Sequence, residues 1–496
     1  MQNINFYKIT AFIGGMTIMA VEMASFRLMA PFFGNSIIVW TNILGIIMIA
    51  LALGYYIGGK IADKYPNPKI FFKIVITGSL LVLAIPFFGK PPLEVLSLFI
   101  NHSLIGSSFA ASLVLFLIPF ILFGTISPYL IRLSNKLVKK TGSVAGTIFA
   151  YSTIGSIIGT FLPTLVTVPI FGVKRTIILF GAILCINAAI GLGKKTFYLL
   201  LVPFLLTGLW GSKFTSPSTR DTIAQAESPY NYLEIFKDKY ENMYLIQNNA
   251  MGIQSMYSKN TVLTHGKYWD FFNIIPIISE TQKQDIAIIG LAGGIIPRQF
   301  DYFFKKEYDL QIDGVEIDPQ ISKLAKEYFK MDYQNLNIIN QDGRNFLRQT
   351  EKKYDAIIVD AYHEFYIPQH LSSDEFFKIT KSKLKENGVI AMNFNAADTE
   401  SEVFQRYIAT IKNSYEHVGY MHIPESYNYL ILGTNADDDI LSQIKNIETK
   451  DPELRKIVND IKRNMIPSKK SSEKLITDDL PLSEILIDKM YLENTP

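Results

Sequence analysis

The chain is nearly devoid of cysteine. Its one thiol, Cys185, lies inside an apolar run, and a single cysteine makes neither an intrachain disulfide nor a cysteine-based zinc site. Charge is scarce as well. Asp, Glu, Lys and Arg supply 19% of 496 residues and the net charge is only +3. A nucleic-acid footprint needs a clustered basic face, so no such partner is expected. No Gly-Lys-Ser/Thr phosphate loop occurs, which leaves phosphoryl transfer unsupported. The sequence also predicts no cleavable leader. The first apolar stretch is too long for one, contains Glu22 and Arg27, and is followed by others like it.

What is abundant is apolar surface, at 49% of residues, and it is unevenly placed. Up to about residue 211 the chain is mostly apolar, and the remainder carries most of the charge. That asymmetry implies two solvents, lipid and water. Apolar runs of spanning length occur at 9–30, 39–59, 70–89, 104–131, 143–169 and 171–193, judged against the ~20 residues a bilayer core requires. A seventh run, 197–210, is short enough to lie in the interface. Lys60, Lys64, Lys69 and Lys73 follow the second run, Arg132, Lys136, Lys139 and Lys140 the fourth, and Lys194 and Lys195 the sixth. Basic loops stay in the cytoplasm, so these three loops and the N-terminus are expected there. The opposite face holds mainly Lys90, Lys174 and Arg175. A spanning seventh run would put the rest of the chain outside. An interfacial one keeps it inside, and the inside placement is the expectation. Gly155 and Gly159 form a small-xxx-small pattern for close helix approach, with Gly142 and Gly146 before them. Glu22 is a carboxylate within a span. It either lines a polar cavity, pairs with a neighbouring helix or is protonated.

The second half alternates differently. Residues 212–226 are rich in Ser, Thr and Pro and read as a linker. The runs 232–236 and 243–246 suggest a small antiparallel sheet over 227–266. Beyond it, short apolar strands at 285–290, 310–316, 337–340, 354–360 and 389–394 alternate with amphipathic helices such as 320–329 and 374–385. This is the pattern of a parallel, doubly wound sheet over 267–435, with a helical extension over 436–496. The ligand of such a sheet sits at the carboxyl ends of its strands.

Those ends carry the chemistry. Gly290, Gly293 and Gly294 make a loop that a nucleotide can approach closely. Glu316 ends the second strand, where an acid accepts both ribose hydroxyls. Asp342-Gly343 follows the third, where a carboxylate can accept from an adenine amino group. Asp360 ends the fourth and opens a polar, aromatic loop that contains His363, Glu364, Pro368 and His370. A carboxylate there can take a proton from an ammonium or orient an amine. The two histidines have no third ligand at a convincing spacing, so no metal is expected.

In this order the motifs resemble a known family. Ile288-Ile-Gly-Leu-Ala-Gly-Gly294, Val315-Glu-Ile-Asp-Pro319, Gln341-Asp-Gly-Arg-Asn-Phe-Leu347 and Tyr354-Asp-Ala-Ile-Ile-Val-Asp360 are similar to the spermidine synthase (polyamine aminopropyltransferase) family, and Ser228-Pro-Tyr-Asn231 to its entry into an N-terminal β domain. Leu475-Ile-Thr-Asp-Asp-Leu-Pro481 through Glu484 resembles the membrane-fused branch, as do the stretch from Glu22 to Trp40 and Leu53-Gly-Tyr-Tyr-Ile-Gly-Gly59.

The resemblance implies an N-terminal helical transmembrane bundle of six or seven spans. A small β domain and an α/β Rossmann-like, methyltransferase-type domain would follow it. It implies transfer of an aminopropyl group from decarboxylated S-adenosylmethionine to an amine, with that donor as co-substrate and no tightly bound cofactor. Glu316 would then hold the ribose, Asp342 and Gly343 the adenine, and Pro368 the thioadenosine. Asn231 stands where the family has a nucleotide-contacting Gln, and Asp360 would be the general base. The bilayer, an amine and a second copy of the chain are the implied partners, and the cell membrane with a cytoplasmic soluble domain the implied location.

The chain departs from the family around the amine. Gly293 replaces an Asp, Trp269 a His, and His363 a second Asp, with one extra residue before Pro368. Asp270, Glu364 and Asp360 remain as carboxylates, and Trp269 offers cation–π contact. Without the Asp at 293, intact S-adenosylmethionine is less firmly excluded. A methyl- or aminocarboxypropyltransferase is therefore the second reading, and a polyamine or nucleotide sensor or a regulated transporter the third.

Overall fold

The computed structural model describes residues 4–33, 37–97, 104–138, 141–193, 221–228, 230–248, 252–279, 281–362, 367–469, 473–479, 486–487 and 490. The chain divides into two compact units, Met1–Ser218 and Thr219–Pro496.

The first unit is helical. Its described helices are α1 (Ile4–Phe33), α2 (Ile37–Lys64), α3 (Pro68–Phe88), α4 (Lys90–Ser97), α5 (Leu104–Gly124), α6 (Ile126–Val138), α7 (Thr141–Leu162) and α8 (Val168–Leu192), with a π-helical turn, Pro163–Thr167, between the last two. Among the described residues, five helical stretches are long and apolar enough to cross a membrane: Ile4–Phe33, Ile37–Lys64, Pro68–Phe88, Ile105–Asn135 and Thr141–Leu192. The six apolar runs of the sequence therefore map onto five stretches. Runs five and six share the 52-residue stretch Thr141–Leu192, whose helical rise amounts to about 78 Å, far more than a ~30 Å hydrocarbon core. It is not one straight rod, because Gly172 interrupts it with φ 80° and ψ 168° between the two runs, a backbone setting open to glycine. The seventh run, 197–210, lies outside the described residues.

Close helix packing follows the glycines. A Cβ on Gly155 would stand 2.0 Å from the Phe12 carbonyl oxygen, and one on Gly159 2.2 Å from that of Met16. The backbones of α1 and α7 thus touch where the small-xxx-small pattern lies. Gly54 and Gly124 bring α2 and α5 together in the same way. Arg132 Nε lies 2.9 Å from Asp63 Oδ1, and the Tyr129 hydroxyl donates to the Tyr65 carbonyl. The ends of the second and fourth runs therefore meet at one end of the unit, as the distribution of basic residues required. Met48, Ile118, Phe161 and Leu165 keep large apolar side chains exposed.

The second unit begins earlier than its composition suggested. Strand β1 (Asp221–Glu227) occupies positions read as linker and pairs antiparallel with β2 (Tyr232–Lys237). β3 (Met243–Gln247) and β4 (Ser255–Tyr257) complete a small sheet in the order β1-β2-β3-β4. Its apolar face, Leu233, Ile235, Leu245 and Tyr257, packs on Ile321, Leu324 and Phe329 of the helix Pro319–Phe329.

The main sheet has the order β12-β10-β11-β9-β8-β5-β6-β7. Five strands run parallel, β5 (Lys283–Ile289), β6 (Asp309–Val315), β7 (Leu336–Ile339), β8 (Tyr354–Val359) and β9 (Leu384–Asn395), matching the five read from the sequence. An antiparallel edge that sequence reading missed is added by β10 (His417–His422), β11 (Asn428–Thr434) and β12 (Ile466–Pro467). β12 comes from the segment read as a purely helical extension, whose described helices are Ile440–Lys445 and Pro452–Asn464. The sheet is covered on both faces. Ile286 and Ile288 of β5 join one core, and Ala287 and Ile289 join the other, as the two-residue period of a strand demands. Strand order reverses between β5 and β8, which places the ligand crevice at their carboxyl ends.

Candidate active site

The crevice is built by backbone closeness. Gly290 leaves β5 with φ 90°, and a Cβ there would lie 2.5 Å from the Asp360 carbonyl oxygen. Only glycine lets the β5 and β8 loops touch at this point. Gly294 has φ 76° and starts the helix Ile295–Phe304, with Met331 Sδ only 2.5 Å from its would-be Cβ. A Cβ on Gly343 would meet Ile289 Cγ2 at 2.3 Å. These glycines serve loop geometry, and they leave backbone rather than side chains facing the crevice.

Glu316 follows β6 and is buried. The Ala292 amide donates to its Oε2 at 3.0 Å and the Asp318 amide to its Oε1 at 3.1 Å. Burial nevertheless pushes its carboxyl up to about 7. Asp318, fully buried, caps the helix Pro319–Phe329 through the Gln320 amide and accepts from the Ser228 hydroxyl. Asn231 sits behind this pair. Its Oδ1 accepts from Asn248 Nδ2 at 2.9 Å, and its side chain bonds Asp318. Asn231 is therefore tied to the acid next to Glu316, and its side chain is 6% exposed.

Asp342 caps the helix Gly343–Gln349 by accepting from the Asn345 amide at 2.9 Å. Its Oδ2 lies 2.7 Å from His370 Nε2, and that hydrogen bond holds the carboxyl below its ordinary range. Pro368, half-buried, precedes the turn Gln369–Leu371 that presents His370.

Asp360, partly exposed, follows β8. Its Oδ2 accepts from the Tyr268 hydroxyl at 3.2 Å and its Oδ1 from Asn393 Nδ2 at 3.2 Å. The Trp269 side chain donates to it as well. Desolvation by the surrounding protein outweighs these donors and pushes the carboxyl up to about 7. Asn393 is fixed in turn by Asn428 Nδ2, 2.9 Å from its Oδ1, and the Tyr362 hydroxyl donates to its carbonyl at 3.1 Å. Trp269 and Tyr268 lie with ring centroids 4.4 Å apart.

Two sequence expectations change here. Trp269, expected against the amine, is 5% exposed and bonds Asp360 instead. Asp270, expected as a carboxylate for the amine, is 1% exposed and turned inward. Its oxygens accept from the Thr264 amide and hydroxyl, the Gly266 amide and Gln299 Nε2, all within 2.8 Å. Asp270→Ala is expected to strand those donors and lower stability by about 3 kcal/mol, read as a drop in Tm, while the KM for amine in the folded fraction stays unchanged. His363 and Glu364 lie outside the described residues. Sequence reasoning missed Tyr268 and Asn393. Asn393 carried a usable signal, an amide at the end of an otherwise apolar strand. Among the described residues no group of three His, Cys, Asp or Glu side chains is placed to hold a metal ion.

A parallel sheet with acids at three successive strand ends, beside a glycine loop, is the arrangement of an α/β Rossmann-like domain. Residues 268–445 match the family described as "Spermine/spermidine synthase domain". A probable polyamine aminopropyl transferase of Bifidobacterium longum (strain NCC 2705) is 36% identical over 171 residues, 34% of this chain and 37% of the relative. A polyamine aminopropyltransferase of Vibrio vulnificus (strain CMCP6) is 31% identical over 161 residues, 32% of this chain and 52% of the relative. The chain thus spans about half or less of these relatives' lengths. A probable spermidine synthase from Corynebacterium glutamicum ATCC 13032 aligns with TM-score 0.41 and 16% identity over 51% of this chain and 96% of that structure.

Proposed function

We propose that this chain is a membrane-integrated aminopropyltransferase. Decarboxylated S-adenosylmethionine is the donor, an amine is the acceptor and methylthioadenosine is the product. The helical unit lies in the cell membrane and the second unit in the cytoplasm. The observation that carries the reaction is Asp360, a carboxylate at the switch point with a pKa raised to about 7, matched to proton transfer near neutral pH.

The steps follow from these positions. Glu316 accepts the ribose hydroxyls, and Asp342 with Gly343 receives the adenine edge. The sulfonium then points toward Asp360. The acceptor arrives as an ammonium and gives one proton to Asp360. Its freed lone pair attacks the methylene next to sulfur, the carbon–sulfur bond breaks, and the bonding pair stays on sulfur as neutral methylthioadenosine. The proton leaves Asp360 for solvent. The enzyme contributes orientation and proton removal. Rate should fall tenfold per pH unit below about 7 and level off above it.

Asn393 tunes that profile, because its amide stabilises the ionised carboxylate. Asn393→Leu should move the acid limb of kcat/KM to higher pH by about one unit, measured across pH 5.5–9 with saturating donor.

One observation favours a second reading. A Cβ on Gly293 would lie 2.4 Å from Ser255 Oγ, so no carboxylate stands there to repel a donor that keeps its own carboxylate. The purified protein is incubated with each donor and a panel of amines, and the nucleoside product is identified. Methylthioadenosine from the decarboxylated donor alone supports aminopropyl transfer. Methylthioadenosine from the intact donor means aminocarboxypropyl transfer, and S-adenosylhomocysteine means methylation. Either of these overturns the first reading.

A further inference from the structure

The nucleotide end of the site is fastened by residues from far along the chain. Arg344 lies in the first turn of the helix that Asp342 caps, and its side chain is 7% exposed. Its two terminal nitrogens meet both oxygens of Asp478 at 2.7 Å each, a bidentate pair across 134 positions. One of those nitrogens also donates to the His370 carbonyl at 3.2 Å. The Ser373 hydroxyl donates to Asp478 Oδ1 at 2.7 Å, and the Asp478 amide donates to Glu375 Oε2 at 3.0 Å. Gln369 Nε2 reaches the Thr477 carbonyl at 2.9 Å, the Asp374 amide reaches that of Ile476 at 2.8 Å, and the Ile476 amide is held by Thr410. Ile476 is buried in the core beside β8 and β9.

Apart from the Arg344–His370 and Ile476–Thr410 bonds, each of these joins the segment 473–479 to the Asp342 helix or to the turn and helix start over 369–375. That turn presents Pro368 and His370, and His370 meets Asp342. The segment lies outside the stretch 268–445 that matches the synthase domain, yet it bonds both the turn and the helix.

We propose that Asp478 is a positioning residue for the nucleotide. Through Arg344, Ser373 and the adjoining backbone it sets the distance between the Pro368–His370 turn and Asp342, and hence the fit of the adenine and thioadenosine portions. The Arg344 hydrogen bonds hold its carboxyl down at about 2, so the pair persists across the working pH range. This proposal rests on the nucleotide reading of Asp342 and Pro368, but not on which group is transferred.

The test uses full-length protein in detergent. The Kd for methylthioadenosine is measured by calorimetry, Tm by scanning fluorimetry, and donor KM and kcat by product formation. Asp478→Asn is expected to weaken methylthioadenosine binding roughly 10- to 100-fold. Donor KM should rise in step, with kcat at saturating donor within about twofold. Asp478→Glu should recover most of the affinity. The milder Gln369→Ala, which loses one bond to the segment, should weaken binding by a smaller factor with no change in Tm. An unchanged Kd in Asp478→Asn overturns the proposal. So does a weaker Kd that only tracks a falling Tm while Gln369→Ala binds normally, because the segment would then merely hold the fold. Failure of the unsubstituted protein to bind methylthioadenosine overturns the nucleotide reading itself.

Discussion

Asp360→Asn is expected to lower kcat by about 10³ while the Kd for methylthioadenosine stays within about twofold. Asp360 is bonded to the Tyr268 hydroxyl, Asn393 and the Trp269 side chain, and to neither of the acids proposed to hold the ribose and adenine. An asparagine there keeps the volume and one acceptor for Asn393 Nδ2, with its N–H turned to the Tyr268 oxygen, but it cannot take a proton. The same substitution is expected to raise Tm at pH 8. The carboxyl of Asp360 titrates near 7 in the folded protein and near 4 when unfolded. Between those values the native state binds the extra proton, so stability falls as pH rises through that window and stays low above 7. Removing the charge removes the penalty. For a unit of this size, Tm gains about 2–4 °C for each ~1 kcal/mol recovered. Single-turnover product formation and a melting scan at pH 5 and pH 8 check both parts. Full turnover in the variant would exclude Asp360 as the base.

Glu316→Gln is expected to act on the other half of the reaction. In the proposed complex the wild-type carboxylate would offer an ionised acceptor to each ribose hydroxyl, and hydrogen bonds to charged groups are the stronger kind. Glutamine keeps one neutral acceptor and turns an N–H toward the Ala292 or Asp318 amide. Methylthioadenosine affinity should fall about 100-fold, the equivalent of ~2.7 kcal/mol. A deoxyribose analogue lacking one hydroxyl should lose affinity for the wild type but little for the variant. Equal discrimination by both proteins would remove Glu316 from the ribose.

Glu316 and Asp360 were legible because each is the first polar residue after an apolar strand end, and Asp342 because it precedes a glycine at the start of the helix after β7. Asp270 and Trp269 were misjudged for the opposite reason. Nothing near Asp270 in sequence announces that Gln299, on another helix, will enclose its carboxylate. The Trp269 indole finds Asp360 only after ninety residues of sheet have been laid down. Arg344 and Asp478 were equally invisible as a pair, since an ion pair across 134 positions leaves no local pattern. Strand β1 hid because its alternation is weak, with a single large apolar residue, Ile223, in Asp221–Glu227. It forms by pairing with β2, and only the small side chains of Ala224 and Ala226 pack on the core. In the helical unit the glycine spacing correctly announced where α1 and α7 touch. Gly172 showed no comparable signal, and there backbone conformation, not hydropathy, divides the long stretch.

The two edges of the main sheet are electrically unlike. At the amino-terminal edge, Lys352 bridges Asp285 and Asp313, and Lys385 bridges Asp285 and Asp355. At the carboxyl-terminal edge, Glu316 and Asp360 form no ion pair among the described residues, only bonds to amides, a hydroxyl and an indole. One edge brings its own counterions; at the other, Asp342 has His370 beside it, while Glu316 and Asp360 meet no cation among the described residues. The sulfonium donor and ammonium acceptor proposed above would supply those two acids with cations. Melting temperature at pH 8 becomes a direct gauge of ligand charge. It should rise further with the decarboxylated donor than with neutral methylthioadenosine at equal saturation, and the difference should vanish at pH 5, where both acids already carry their protons.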